Sequence, residues 1–111
     1  MGKVKSSEKK VEGKAKRAES LKERTERYRA LTEAALLKVS VKAFKGTRDF
    51  VRANDFLSMA ENYLSDGRHF EEKGETALAL AAYSYAHAWL DAGVRAGFLD
   101  GKNDDKLFTL P

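Results

Sequence analysis

Residues 76–96, TALALAAYSYAHAWLDAGVRA, constrain the fold more than any other part of the chain. The stretch is rich in alanine and leucine, has no proline and is followed by Gly97, so it reads as a helix that stops there. At about 100° per residue its apolar side chains fall into two stripes. Leu78, Ala81, Tyr85, Trp89, Ala92 and Ala96 form one. Leu80, Tyr83, His87, Leu90, Val94 and Phe98 form the other, nearly opposite. Only Ser84, Asp91 and Arg95 hold a narrow polar edge. A helix apolar on two sides is expected to be covered on two sides. The chain must therefore supply neighbours for it, or borrow them from a partner.

Two more helices are legible upstream. Ser20-Leu21-Lys22-Glu23 has the form of a capping box, so a helix should start there. Leu21, Tyr28, Leu31, Ala35, Leu36 and Val39 recur on one face, which predicts a helix running to about Lys45 and ending near Gly46. A second helix is predicted from Thr47–Asp49 to Gly74. Its lines Phe50, Ala53, Leu57, Ala60, Leu64 and Phe56, Tyr63, Gly67, Phe70 make one broad apolar face. Gly67 lies on that face and marks a close approach to the third helix. On this reading Gly67→Leu overpacks the crossing, while Gly67→Ala is neutral or stabilising through helix propensity. After the third helix come an Asp100-Gly101 turn and a terminal cluster, Leu107, Phe108 and Leu110, which should dock on the body. The expected fold is all-α: a three-helix bundle whose last two helices form an antiparallel hairpin, preceded by a flexible basic arm.

At 111 residues, one domain is expected, over 19–111, behind the arm of 1–18. The net charge of +4 sits in that arm, where Lys3, Lys5, Lys9, Lys10, Lys14, Lys16 and Arg17 outnumber the acids; the rest of the chain is balanced. The arm has two branched apolar residues, Val4 and Val11, too few to offset ordering entropy. It is a solubilising tail or a contact for RNA or a ribonucleoprotein, and it has no aromatic residue for base stacking. With no cysteine, no disulfide or thiolate chemistry is available. No run reaches the roughly 18 apolar residues of a membrane span, and no signal-peptide pattern opens the chain. A cytoplasmic protein without a membrane partner is expected.

Tyr63 with Asp66 and Phe70, then Glu72-Lys73-Gly74-Glu75, Tyr85-Ala86-His87 and Trp89-Leu90-Asp91-Ala92-Gly93 carry a resemblance. Residues 63–97 resemble the small archaeal helical proteins grouped as domain of unknown function 357. The resemblance implies an all-helical archaeal protein. It implies no activity, so no catalytic residue is carried over. A looser likeness to one tetratricopeptide unit runs through Tyr63, Gly67, Phe70, Gly74, Ala79, Tyr83 and Ala86. Asp66 and Asp91 depart from that pattern, and a solenoid needs about three copies.

Tyr83, His87 and Asp91 stand one helical turn apart and raise the possibility of a catalytic relay. Successive turns of one straight helix point such groups outward in a row rather than onto one substrate. Packing is the preferred reading, with Asp91 paired to Arg95 at i,i+4. His69 and His87 are the only histidines, too few for a designed metal site, and no nucleotide-binding loop or nucleophile elbow is present. No cofactor is therefore expected. Glu71-Glu72 reads as a solvated edge, and Tyr85 with Trp89 as a core ladder. The resulting expectation is a non-enzymatic interaction module that binds a protein partner or a second copy through Leu80, Tyr83, His87, Leu90, Val94 and Phe98. An RNA-associated protein using the arm is the alternative, and an enzyme using Tyr83, His87 and Asp91 a third reading.

Overall fold

The computed structural model describes residues 17–111. Ser20 starts α1 (Leu21–Lys38) through the full capping box. Its hydroxyl accepts from the Glu23 amide at 3.0 Å, and the Glu23 carboxylate accepts from the Ser20 amide at 2.9 Å. Thr47 caps α2 (Arg48–Glu72) with its side chain alone, accepting from the Phe50 amide at 3.1 Å. Gly74 separates α2 from α3 (Thr76–Ala96), and Gly97 closes α3. Both take the left-handed conformation, φ +77° and +85°, that suits glycine at a helix end.

The helix predicted to reach Lys45 stops at Lys38. Val39 is extended (φ −66°, ψ 147°), and Ser40–Val41 forms a short strand, β1, antiparallel to β2 (Leu99–Asp100). Ser40 lies opposite Asp100 and Val41 opposite Leu99. The Lys42 amide adds a hydrogen bond to the Phe98 carbonyl at 2.9 Å. Val39 and Val41 are β-branched and pack on the core in this extended form. Their apolar character had the spacing of a helix, but the partner strand lies far along the chain, where local periodicity gives no sign of it.

α2 and α3 form the antiparallel hairpin, and α1 packs chiefly on α3. Small residues bring the backbones together: Ala53, Ala60, Ala79 and Ala86 are buried. One core cluster joins Ala35, Ala53, Ala60, Leu90, Val94, Leu99 and Phe108. Phe56 anchors its rim, edge-on to Trp89 (centroids 5.1 Å apart) and to Phe98 (5.6 Å). The other cluster joins Leu64, Ala79, Tyr83 and Ala86. The terminal segment docks as expected, with Phe108 buried and Leu107 and Leu110 packed beside it.

Candidate functional site

The six residues expected to form an interface are mostly inside the chain. Tyr83, Leu90 and Val94 are buried, and Leu80, His87 and Phe98 are half-buried. α1, α2 and the terminal segment cover this stripe, so it is not open to a partner.

The three groups of the suspected relay face three different partners. Tyr83 donates its hydroxyl proton to Glu71 Oε1 at 2.7 Å, and Arg29 Nη1 donates to both Glu71 oxygens at 2.7 Å. Burial pushes the Glu71 carboxyl up, but hydrogen bonds from Tyr83 and Arg29 outweigh it and hold the group below the usual range. Burial, reinforced by the Glu71 carboxylate, raises the Tyr83 phenol, so it stays a proton donor. Glu71 is thus a link between α1, α2 and α3 and not the solvated edge expected of it. His87 Nε2 lies 2.6 Å from the Leu107 carbonyl, which only accepts, so Nε2 carries a proton. In the neutral ring Nδ1 then accepts from Thr32 Oγ1 at 3.1 Å. Asp91 accepts from the Thr109 amide at 2.9 Å. The expected Asp91–Arg95 pair does not form, because Arg95 Nη1 donates to the Leu110 carbonyl at 2.6 Å. His87, Asp91 and Arg95 therefore form a row that clamps residues 107–110 along α3. Among the described residues, no hydrogen bond joins Tyr83 to His87 or His87 to Asp91.

Beside this row a cleft of about 310 Å³ runs between α1 and α3, lined by Arg27, Tyr28, Thr32, Ser84, His87 and Lys106 among others. Its polar groups are largely engaged. Arg27 is held by Glu19 at 2.8 Å, Ser84 by the Leu80 carbonyl at 2.8 Å, and His87 as described. Among the described residues, no three His, Cys, Asp or Glu side chains converge to hold a metal ion.

The other stripe of α3 is the exposed one. Leu78 is 50% exposed and Tyr85 56%, and Ala81, Ala88, Ala92 and Ala96 are open to solvent. Trp89, half-buried, leans on Phe56, and Tyr85 packs edge-on to Tyr63 at 4.6 Å. Tyr85, Ala88, Trp89 and Ala92 line a shallow, wholly apolar groove of about 220 Å³. Of the core ladder expected of Tyr85 and Trp89, Trp89 packs on the core while Tyr85 stands exposed. Between Glu75 and Arg95 the only Asp, Glu, Lys or Arg is Asp91, and it is turned to Thr109.

A protein-family model described as a protein of unknown function (DUF357) matches residues 27–99, more than half of the chain. The chain belongs to that family. The match takes in most of α1, both helices of the hairpin and the start of β2, and so covers the whole exposed face of α3. It leaves out the arm and the clamped terminal segment. Curated proteins and solved structures gave no match to the chain. Among the described residues, no helix is long and apolar enough to cross a membrane.

Of the nucleic-acid candidates, Lys3, Lys5, Lys9, Lys10, Lys14 and Lys16 lie outside the described residues. Arg17 is described, and both its terminal nitrogens are bound to Glu23, at 2.8 and 2.6 Å. It belongs to the α1 cap.

Proposed function

We propose that the protein is a non-enzymatic, cytoplasmic interaction module that associates through the outer face of α3, with a second copy of itself as the partner. The observation that carries this reading is the uncharged apolar face bearing Leu78, Ala81, Tyr85, Ala88, Trp89 and Ala92 on a helix otherwise well covered. At 21 residues α3 is about 30 Å long, and its alanines allow a second helix to approach closely. The face is self-complementary. Tyr85 stands at its middle, Glu75 beyond one end and Arg95 at the other, equally far from Tyr85 in sequence. Antiparallel pairing about Tyr85 brings the Arg95 end of each helix to the Glu75 end of its mate, and two-fold closure is the commonest arrangement of like chains. The polar groups of Tyr83, His87 and Asp91 serve packing and clamping, which favours an interaction role over catalysis.

The cysteine-free sequence makes a clean crosslinking test. A lone cysteine introduced as Tyr85→Cys should form a disulfide between chains on mild oxidation, because the two-fold brings its copies within bridging distance. Glu61→Cys, exposed on α2, should not. Equal crosslinking at both positions, or none at Tyr85→Cys, contradicts the reading.

A further inference from the structure

The turn from β1 into α2 carries a feature unrelated to the face of α3. Phe44 is 85% exposed, its ring projecting from Lys42-Ala43-Phe44-Lys45-Gly46-Thr47. Lys42 and Lys45 flank it closely, and Arg48 and Arg52 follow in the first turns of α2; all four are exposed. The single acid among them, Asp49, pairs with Arg52 at 3.6 Å. Among the described residues, Lys42, Lys45 and Arg48 have no ion-pair partner. The turn is ordered by its own bonds. Thr47 Oγ1 donates to the Phe44 carbonyl at 2.7 Å and accepts from the Phe50 amide, while the Lys42 amide is tied to Phe98. Gly46, at φ +87°, makes the bend. An aromatic ring is thus held out in water on a fixed backbone, inside a local excess of positive charge. The balance of charge outside the arm conceals this cluster.

We propose that this turn is a contact site for single-stranded nucleic acid, with the Phe44 ring stacking on an unpaired base and Lys42, Lys45 and Arg48 meeting the flanking phosphates. An exposed aromatic set among cations is the pairing of groups that single strands require, since every base offers a π-face and every linkage a negative charge. A duplex keeps its bases stacked on one another and offers Phe44 no free face. An anionic membrane would satisfy the lysines but gains little from the apolar part. Phe44 together with the exposed Leu37 and Val51 carries no more apolar carbon than one myristoyl chain, which alone holds a protein to a bilayer only marginally.

The test is fluorescence anisotropy of the full chain with a labelled, mixed-sequence single-stranded RNA of about 12 nucleotides, a length within the reach of one such surface. Phe44→Ala should weaken binding by about ten-fold, and Phe44→Trp should restore it. Lys45→Glu with Arg48→Glu should weaken it further. That double change should also flatten the dependence of log affinity on log salt, by about 0.7 for each phosphate that the variant no longer neutralises. All these positions are exposed, so the variants should melt with the wild type, which separates binding from folding. Three results overturn the proposal. Phe44→Ala binding RNA as wild type leaves all affinity to the arm. An equal loss on duplex RNA removes base stacking. A loss of sedimentation with phosphatidylserine vesicles, with RNA affinity unchanged, assigns the turn to a lipid surface.

Discussion

At Gly67 a Cβ atom would lie 2.6 Å from Tyr83 Cδ1. The Tyr83 ring has little freedom to retreat, because it is fully buried and its hydroxyl is held by Glu71, which Arg29 holds in turn. Steric conflict therefore outweighs the gain in helix propensity, and the sequence-based expectation that Gly67→Ala is neutral or stabilising is reversed. Gly67→Ala should lower stability by about 1–3 kcal/mol, read as a lower urea midpoint at unchanged slope. Gly67→Ala melting at or above wild type would show that the ring can move. Glu71 makes a second prediction. Its carboxyl titrates below the usual range in the folded chain, so the charged form stabilises the fold above the unfolded value and loses that effect as pH falls through the folded one. At neutral pH, Glu71→Gln should cost about 1–2 kcal/mol. The gap should narrow towards zero as pH falls through the folded value, below which both chains carry a neutral side chain. A gap independent of pH would mean that the charge on Glu71 does not contribute. Position 67 was legible because a glycine amid large apolar residues marks a close crossing. Glu71 was not, because only the placement of Arg29 on another helix distinguishes a linking carboxylate from a solvated one.

α3 shows how far periodicity reaches. Its two stripes are equally apolar in outline, so the pattern predicts two covered sides without saying which neighbour covers each, or whether both are covered. The placement of α1, α2 and the terminal segment, with their polar partners, decides it. Leu80, Tyr83, Leu90 and Val94 face inward, while the row His87, Asp91 and Arg95 is occupied by the backbone of residues 107–110. That segment falls after the last turn, and no local signal ties it to a particular row of α3. Helix ends were legible where capping chemistry marks them, at Ser20, Thr47, Gly74 and Gly97. The end of α1 was not, because β1 depends on pairing with distant β2. Inside and outside should separate cleanly under charge. Leu90→Glu, at a site with no exposure, should abolish the helical circular-dichroism signal or its cooperative melt. Ala88→Glu, on the outer face, should leave both intact. Removing residues 107–111 should cost about 3–5 kcal/mol, comparable to losing a buried phenylalanine, because Phe108 fills the space under Gly101 and beside Val94. A truncated chain as stable as wild type would show the segment to be ornamental.

At the scale of the whole molecule, the buried hydroxyls of Thr25 and Thr32 find partners within the chain, and α3 keeps one apolar flank facing water. Such a flank on a folded protein marks an association surface when it reaches a few hundred Å² (about the size of the largest patch on an ordinary monomer). The opposite charges beyond its two ends favour an antiparallel mate of the same sequence. The proposed nucleic-acid turn lies between β1 and α2, so a pair of chains would present two such turns on one assembly. Two linked sites bind a strand more tightly than one when it can span them. The central claim rests on association through the outer face of α3, and sedimentation equilibrium of wild type and Ala88→Glu tests it most directly. The account predicts wild type at twice the chain mass at micromolar concentration, and Ala88→Glu at the chain mass with its helical signal unchanged. Wild type at the chain mass across the concentration range, or Ala88→Glu still paired, would contradict it.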